Sequence, residues 1–151
     1  MAELADLYHD LIIDHNKSPR NKGALPSPPA RTAVGHNPLC GDKVVIYINN
    51  EVDVIHDIMF DGVGCSICTA SASLMTDAVK GKTTSEIRNL FTSFHSLVTG
   101  EADAASAVDS LGKLAAFAGV SEYPVRVKCA SLPWHTLIAA LERDHTAVTT
   151  E

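Results

Sequence analysis

Apolar residues recur at helical spacing at the start of the chain. Leu4, Leu7, Leu11 and Ile12 predict an amphipathic helix over residues 3–15. Ser18-Pro19 ends it, because proline disfavours helical geometry in the residue before it. Residues 17–38 are rich in Pro, Gly, Asn and Arg and read mostly as loop, with room for a short strand over 32–36. A largely β-branched run over 44–48, a turn at Asn49-Asn50 and a second run over 52–60 predict a hairpin. Asp61-Gly62-Val63-Gly64 breaks the second strand, and residues 65–80 then read as helix. Thr83 and Glu86 form a capping box for a helix over about 84–98, which Gly100 stops. Residues 104–118 read as a further helix. Pro124 interrupts, and a last helix runs over 131–143 with Pro133 in its first turn. The tail after His145 reads as frayed. The pattern is that of an α+β fold in one domain over residues 1–151, a small antiparallel sheet with helices gathered on one face.

Composition narrows the class without changing this outline. Hydrophobic residues make up 46% and charged residues 20%, as in ordinary globular chains. No apolar run approaches the length that spans a bilayer, and the first residues lack a basic stretch followed by an unbroken apolar one. A cytoplasmic protein with no membrane partner is the expectation. A net charge of −6 argues against general binding to nucleic acid. Lys17, Arg20, Lys22 and Arg31 form a loose basic stretch, either a solvated loop or a docking surface for an acidic partner.

The candidate chemistry lies in four cysteines, Cys40, Cys65, Cys68 and Cys129. In a reducing compartment they suggest metal binding or thiol chemistry rather than a disulfide framework. Cys40 sits in a loop beside Gly41, with Asp42 two residues on. Cys65 follows Gly62-Val63-Gly64 at a predicted helix start, where the helix dipole favours thiolate. Cys129 follows Arg126 and Lys128, whose charges act in the same sense, again ahead of a predicted helix. Three thiolates and Asp42 make the four donors that tetrahedral zinc takes. Spacing leaves two arrangements open, one shared site or separate buried cysteines. Cys65-Ser66-Ile67-Cys68 is a CxxC with no second such pair, and Cys68, one helical turn on, reads as a small core residue.

Four stretches carry a family likeness: LYHDLIIDHNKSPRNKG at 7–23, NPLCGD at 37–42, GVGCSICTASASLMTDAVKGK at 62–82 and VRVKCASLPWHTL at 125–137. In these the chain resembles the U-type iron–sulfur assembly family, and within it the SufU branch. The resemblance implies a three-stranded antiparallel sheet packed with helices. It implies a metal site of Cys40, Asp42, Cys65 and Cys129 at one end of the fold, with Cys68 outside the ligand set. Lys128 stands where the scaffold branch has a histidine. An insertion near 100–120 and the absence of a Leu-Pro-Pro-Val-Lys motif also point to the SufU branch. The implied function is a zinc-dependent sulfur acceptor, similar to a sulfurtransferase, that works with a SufS-type cysteine desulfurase. The alternative is a scaffold that builds and transfers a [2Fe–2S] cluster on the same ligands.

Cys40 is the expected sulfur acceptor, because its Gly-flanked loop can move. Arg126 and Lys128 are accessory candidates, Arg126 either as a pairing cation for Asp42 or as a plain surface charge. His36 is either a substitute ligand or a loop histidine, and Trp134 reads as packing.

Overall fold

The structure, a computed structural model, describes residues 2–26, 30–38, 41–102, 110–142 and 148–149. Its elements follow the order α1 (Ala2–Lys17), β1 (Arg31–Asn37), β2 (Asp42–Glu51), β3 (Val54–Val63), α2 (Ser66–Val79), α3 (Thr84–Val98), a 3-10 segment (Gly112–Glu122), α4 (Pro124–Leu141) and β4 (Val148–Thr149). The expected three-stranded antiparallel sheet is present, with five helical segments against it. The sheet order is β3-β2-β1-β4, the two-residue β4 running parallel to β1 at its edge. The pairing of Val148 and Thr149 with Gly35 and His36 replaces the frayed end expected after His145; residues 143–147 and 150–151 lie outside the described part.

Alternation in the strands decides which face carries the core. Val44, Ile46 and Ile48 of β2 are buried, as are Ile55, Ile58 and Phe60 of β3. They meet Met75 and Leu74 of α2 and Leu132 and Leu137 of α4 in one cluster. At Gly35 in β1 an added Cβ would collide with Thr136 Oγ1 and press on Leu132, so the missing side chain lets α4 lie close on the sheet. Trp134 stacks on Phe94 with centroids 4.9 Å apart, and Phe94 meets Phe117 edge-on at 5.6 Å. Trp134 is thus a packing residue, fixing α4 against α3. Leu11 and Ile12 of α1 pack on the core, and His15 hydrogen-bonds Ser73 of α2; the side chains of Leu4 and Leu7 lie outside the described part.

Several boundaries differ from the sequence reading. The hairpin turn falls at Val52-Asp53, with Val52 at φ +59°. Asn49-Asn50 is instead a register shift within the ladder. β3 continues to Val63, because Gly62 and Val63 still pair with Val44 and Lys43. β1 is a full seven-residue strand. Of the helix expected over 104–118, residues 104–109 lie outside the described part, Ser110 and Leu111 are α-helical, and Gly112–Glu122 is a 3-10 helix. Its larger buried residues Leu114, Phe117 and Val120 recur every third position, the repeat of a 3-10 helix.

Pro124 starts α4 instead of interrupting the chain, since a proline at the first helical position forfeits no hydrogen bond. Pro133 consequently falls inside the helix, and Cys129 lies within α4 rather than ahead of it.

Candidate metal centre

Three sequence-distant segments deliver the site. β2 opens on Asp42, which pairs across the ladder with Asn37, so the β1–β2 connection returns at the sheet end. Cys40 belongs to that connection and lies outside the described residues; Gly41 beside it has φ +72°, a left-handed conformation suited to glycine. Cys65 is the N-cap of α2, extended at φ −69° and ψ 168°. Cys129 is on α4, with its sulfur 3.7 Å from the Val125 carbonyl.

The donor atoms of Asp42, Cys65 and Cys129 all lie within 4.8 Å of one another. Asp42 is 2% exposed and Cys129 is fully buried, while Cys65 is half-buried at the opening. Asp42 Oδ1 accepts the Cys65 backbone N–H at 2.8 Å, and its Oδ2 stands 3.9 Å from Cys65 Sγ. The carboxylate therefore closes the first turn of α2 while facing the thiol.

The Cys65 thiol is lowered to about 6. The largest cause is a hydrogen bond from the Cys129 thiol, opposed by burial. The Cys68 and Ile67 backbone N–H groups lower it further, and the Asp42 charge raises it. The helix-start argument thus holds for Cys65. For Cys129 the physical setting is different, a buried thiol in mid-helix.

Two thiols and a carboxylate, buried and convergent, are a donor set suited to a borderline-soft ion such as zinc, with one position left for a further ligand.

Asn37 was not singled out from the sequence. It is fully buried, and its Nδ2 lies 3.6 Å from Cys129 Sγ, while its Oδ1 has no hydrogen-bond partner among the described residues. The alternation of β1 carries the signal: Ala33, Gly35 and Asn37 share the inner face. His36 follows the other phase and is exposed, which sets it apart from the donor cluster as an ordinary strand residue. Arg126 is exposed and lines a concavity of about 650 Å³ with Cys65, Glu122, Tyr123, Pro124 and Val125. Lys128 is half-buried in the same helix. Cys68 is 2% exposed, a core position as read.

Fold and site together define a small α+β protein that gathers thiolates and a carboxylate at one end of its sheet. The sequence pattern of the NifU-like N terminal domain matches residues 7–130, and the chain belongs to that family. It is 40% identical over 136 residues to the zinc-dependent sulfurtransferase SufU of Bacillus subtilis, covering 90% of each chain. It is 38% identical over 147 residues to the iron–sulfur cluster assembly scaffold protein IscU of Streptococcus pyogenes, covering 97% of this chain and 90% of that one. A crystal structure from Fervidobacterium islandicum, of a protein assigned as an assembly scaffold of the SUF system, superposes with a TM-score of 0.79. It is 35% identical, over 87% of this chain and 93% of the other. No helix among the described residues is long and apolar enough to cross a membrane.

Proposed function

We propose that the chain is a zinc-dependent sulfur acceptor in iron–sulfur cluster assembly, supplied by a SufS-type cysteine desulfurase in the cytoplasm. The observation that carries this reading is the convergence of Asp42, Cys65 and Cys129 donor atoms within 4.8 Å, in a chain 40% identical to a zinc-dependent sulfurtransferase. Cys40, on the adjoining connection, completes the ligand set and is the acceptor thiol.

Zinc bound there keeps the thiols deprotonated at neutral pH and damps their nucleophilicity. The chain's own groups do the rest. Asp42 holds the Cys65 backbone and faces its sulfur, so the helix start and the strand end keep a fixed separation. Gly41 gives the Cys40 segment backbone freedom to swing the thiol outward. The Cys40 thiolate attacks the outer sulfur of the donor's persulfide. That sulfur–sulfur bond breaks, the donor leaves as a thiolate, and the sulfane sulfur stays on Cys40. Arg126 and Tyr123, exposed beside Cys65, offer a charge and a ring to the incoming donor.

A second reading, a scaffold for a [2Fe–2S] cluster, draws on the IscU relative that covers 97% of the chain. Lys128 in place of the scaffold branch's histidine favours the acceptor. Metal analysis before and after incubation with desulfurase and cysteine separates the two. The acceptor reading expects zinc, and persulfide on the chain. Stable [2Fe–2S] formation with efficient transfer to an acceptor protein establishes the scaffold.

A further inference from the structure

Cys68 has no place in the donor set, yet it lies one helical turn from Cys65. Cys65 is the N-cap of α2 and Cys68 is the third helical residue. Residues three apart in such a turn have Cα atoms about 5 Å apart, inside the roughly 4.4–6.8 Å span a disulfide needs. The Cys65 sulfur stands 3.9 Å from Asp42 Oδ2. The Cys68 side chain reaches the same place. A Cβ built on Gly64 would stand 3.4 Å from Cys68 Sγ and 3.1 Å from Asp42 Oδ1. Cys65 is half-buried at the site opening, and Cys68 behind it is 2% exposed. One thiol meets the outside and a second stands covered within reach, as in an attacking and resolving pair.

We propose that Cys68 is a resolving thiol for sulfur carried on Cys65, so that the chain itself reduces bound sulfane sulfur and releases it as hydrogen sulfide. This rests on the reading that the site receives sulfane sulfur, from a desulfurase through Cys40 and one persulfide exchange to Cys65, or on half-buried Cys65 from a small persulfide. In the step, Cys68 attacks the inner sulfur of Cys65–S–SH. A Cys65–Cys68 disulfide forms, the bond to the outer sulfur breaks, and that sulfur leaves as hydrosulfide, taking the proton Cys68 gives up. One persulfide and one thiol become one disulfide and one hydrogen sulfide. The two electrons gained by the outer sulfur come from the two cysteine sulfurs. Attack at the inner sulfur is favoured because hydrosulfide is a weaker base than an alkyl thiolate and leaves faster. The chemistry suits a cluster supplier, since clusters contain sulfide and a plain carrier delivers sulfur two electrons too oxidised. The disulfide also withdraws Cys65 from the donor set with Asp42 and Cys129.

The test uses the full chain, loaded either with a low-molecular-weight persulfide or with desulfurase and cysteine, then desalted and followed without reductant. The expected result is about one sulfide per persulfide, a Cys65–Cys68 linked peptide by mass spectrometry, and zinc appearing at a chromogenic chelator. In Cys68→Ser the persulfide should persist, with sulfide release falling roughly tenfold or more. A stable persulfide on the unmutated chain overturns the proposal. So does equal sulfide release by Cys68→Ser, or a linked peptide joining Cys65 to Cys129. Loading by the small persulfide but not by the desulfurase removes the sulfur-acceptor reading instead, and the resolving role is then judged on the first arm alone.

Discussion

The Cys65 backbone N–H donates to Asp42 Oδ1 at 2.8 Å, joining the start of α2 to the start of β2 through the carboxylate that also faces the Cys65 thiol. One side chain therefore has a structural task and a chemical one, and substitutions can separate them. In metal-free protein, Asp42→Ala leaves the Cys65 N–H without this acceptor and should cost about 1–3 kcal/mol. Asp42→Asn keeps an acceptor oxygen and should recover most of that loss while still altering zinc affinity, because an amide is a poor zinc ligand. Urea unfolding in excess chelator, paired with zinc titration, reads both quantities. Equal stability of Asp42→Ala and the unmutated chain would show that the hydrogen bond contributes nothing.

The donor set predicts about one zinc per chain. Cys65→Ala and Cys129→Ala should each lose most of it, since each removes a thiolate from a site of few donors. Cys68→Ser should retain its zinc, being outside the cluster. Elemental analysis after desalting, with circular dichroism to check folding, is the measurement. Full occupancy in both alanine variants would break the shared site, and zinc loss from folded Cys68→Ser would make the CxxC a chelate.

The parts of this fold that were legible in the sequence have local causes. The Thr83–Glu86 box is present in both directions and α3 begins at Thr84 as read. The runs over 44–48 and 52–60 likewise form the two strands of a hairpin, while their core face, with Val44, Ile46 and Ile48 inward, shows only in the sheet. What was misread turns on context. Pro124 and Pro133 stand nine positions apart in one helix; each alone signals a boundary, and only the packing of α4 on β1 shows that the helix runs through both. At the site, a helix-start dipole could be inferred for Cys65 from Gly62-Val63-Gly64, whereas Cys129 was placed by its flanking cations in the wrong part of its helix. Asn37 stayed hidden because an asparagine before a proline reads as a turn residue; its contact with Cys129 depends on a strand phase visible only in the sheet.

His15 gives the fold a pH dependence of its own. The side chain is 2% exposed, and its Nδ1 is 2.7 Å from Ser73 Oγ, which also accepts the Arg20 backbone N–H at 2.8 Å. Burial, helped by Arg20, holds its pKa below the usual 6.5, while Asp14 and Asp77 pull upward. The unfolded chain therefore binds this proton more readily than the folded one. The stability contributed by neutral His15 is complete above about pH 6.5 and is lost as pH falls through the folded value. Unfolding midpoints of chelator-treated protein should drop as pH falls below about 6.5, and His15→Gln should flatten part of that slope while lowering the midpoint at neutral pH. An unchanged slope in His15→Gln would assign the dependence to other groups.

Cys40→Ala should abolish sulfur loading by a desulfurase even where Asp42, Cys65 and Cys129 still hold metal. Asp42 is 2% exposed and tied to the Cys65 backbone, Cys129 is fully buried within α4, and Cys65 caps α2, so none of the three can advance toward a donor without disturbing an element. Cys40 stands on the short connection between β1 and β2, next to Gly41 with its left-handed φ. A thiol there can move on a few backbone torsions. Gly41→Ala should slow loading without abolishing it, because a Cβ disfavours that φ by roughly 1 kcal/mol, about a fivefold effect, while leaving the thiol in place. Mass spectrometry of peptides after brief exposure to desulfurase and cysteine locates the added sulfur. Early persulfide on Cys40, reduced in Gly41→Ala, is the expected pattern. Persulfide on Cys65 or Cys129 from the earliest times, with Cys40 unmodified and Cys40→Ala loading normally, would move the acceptor to the helices and leave the loop a metal clasp.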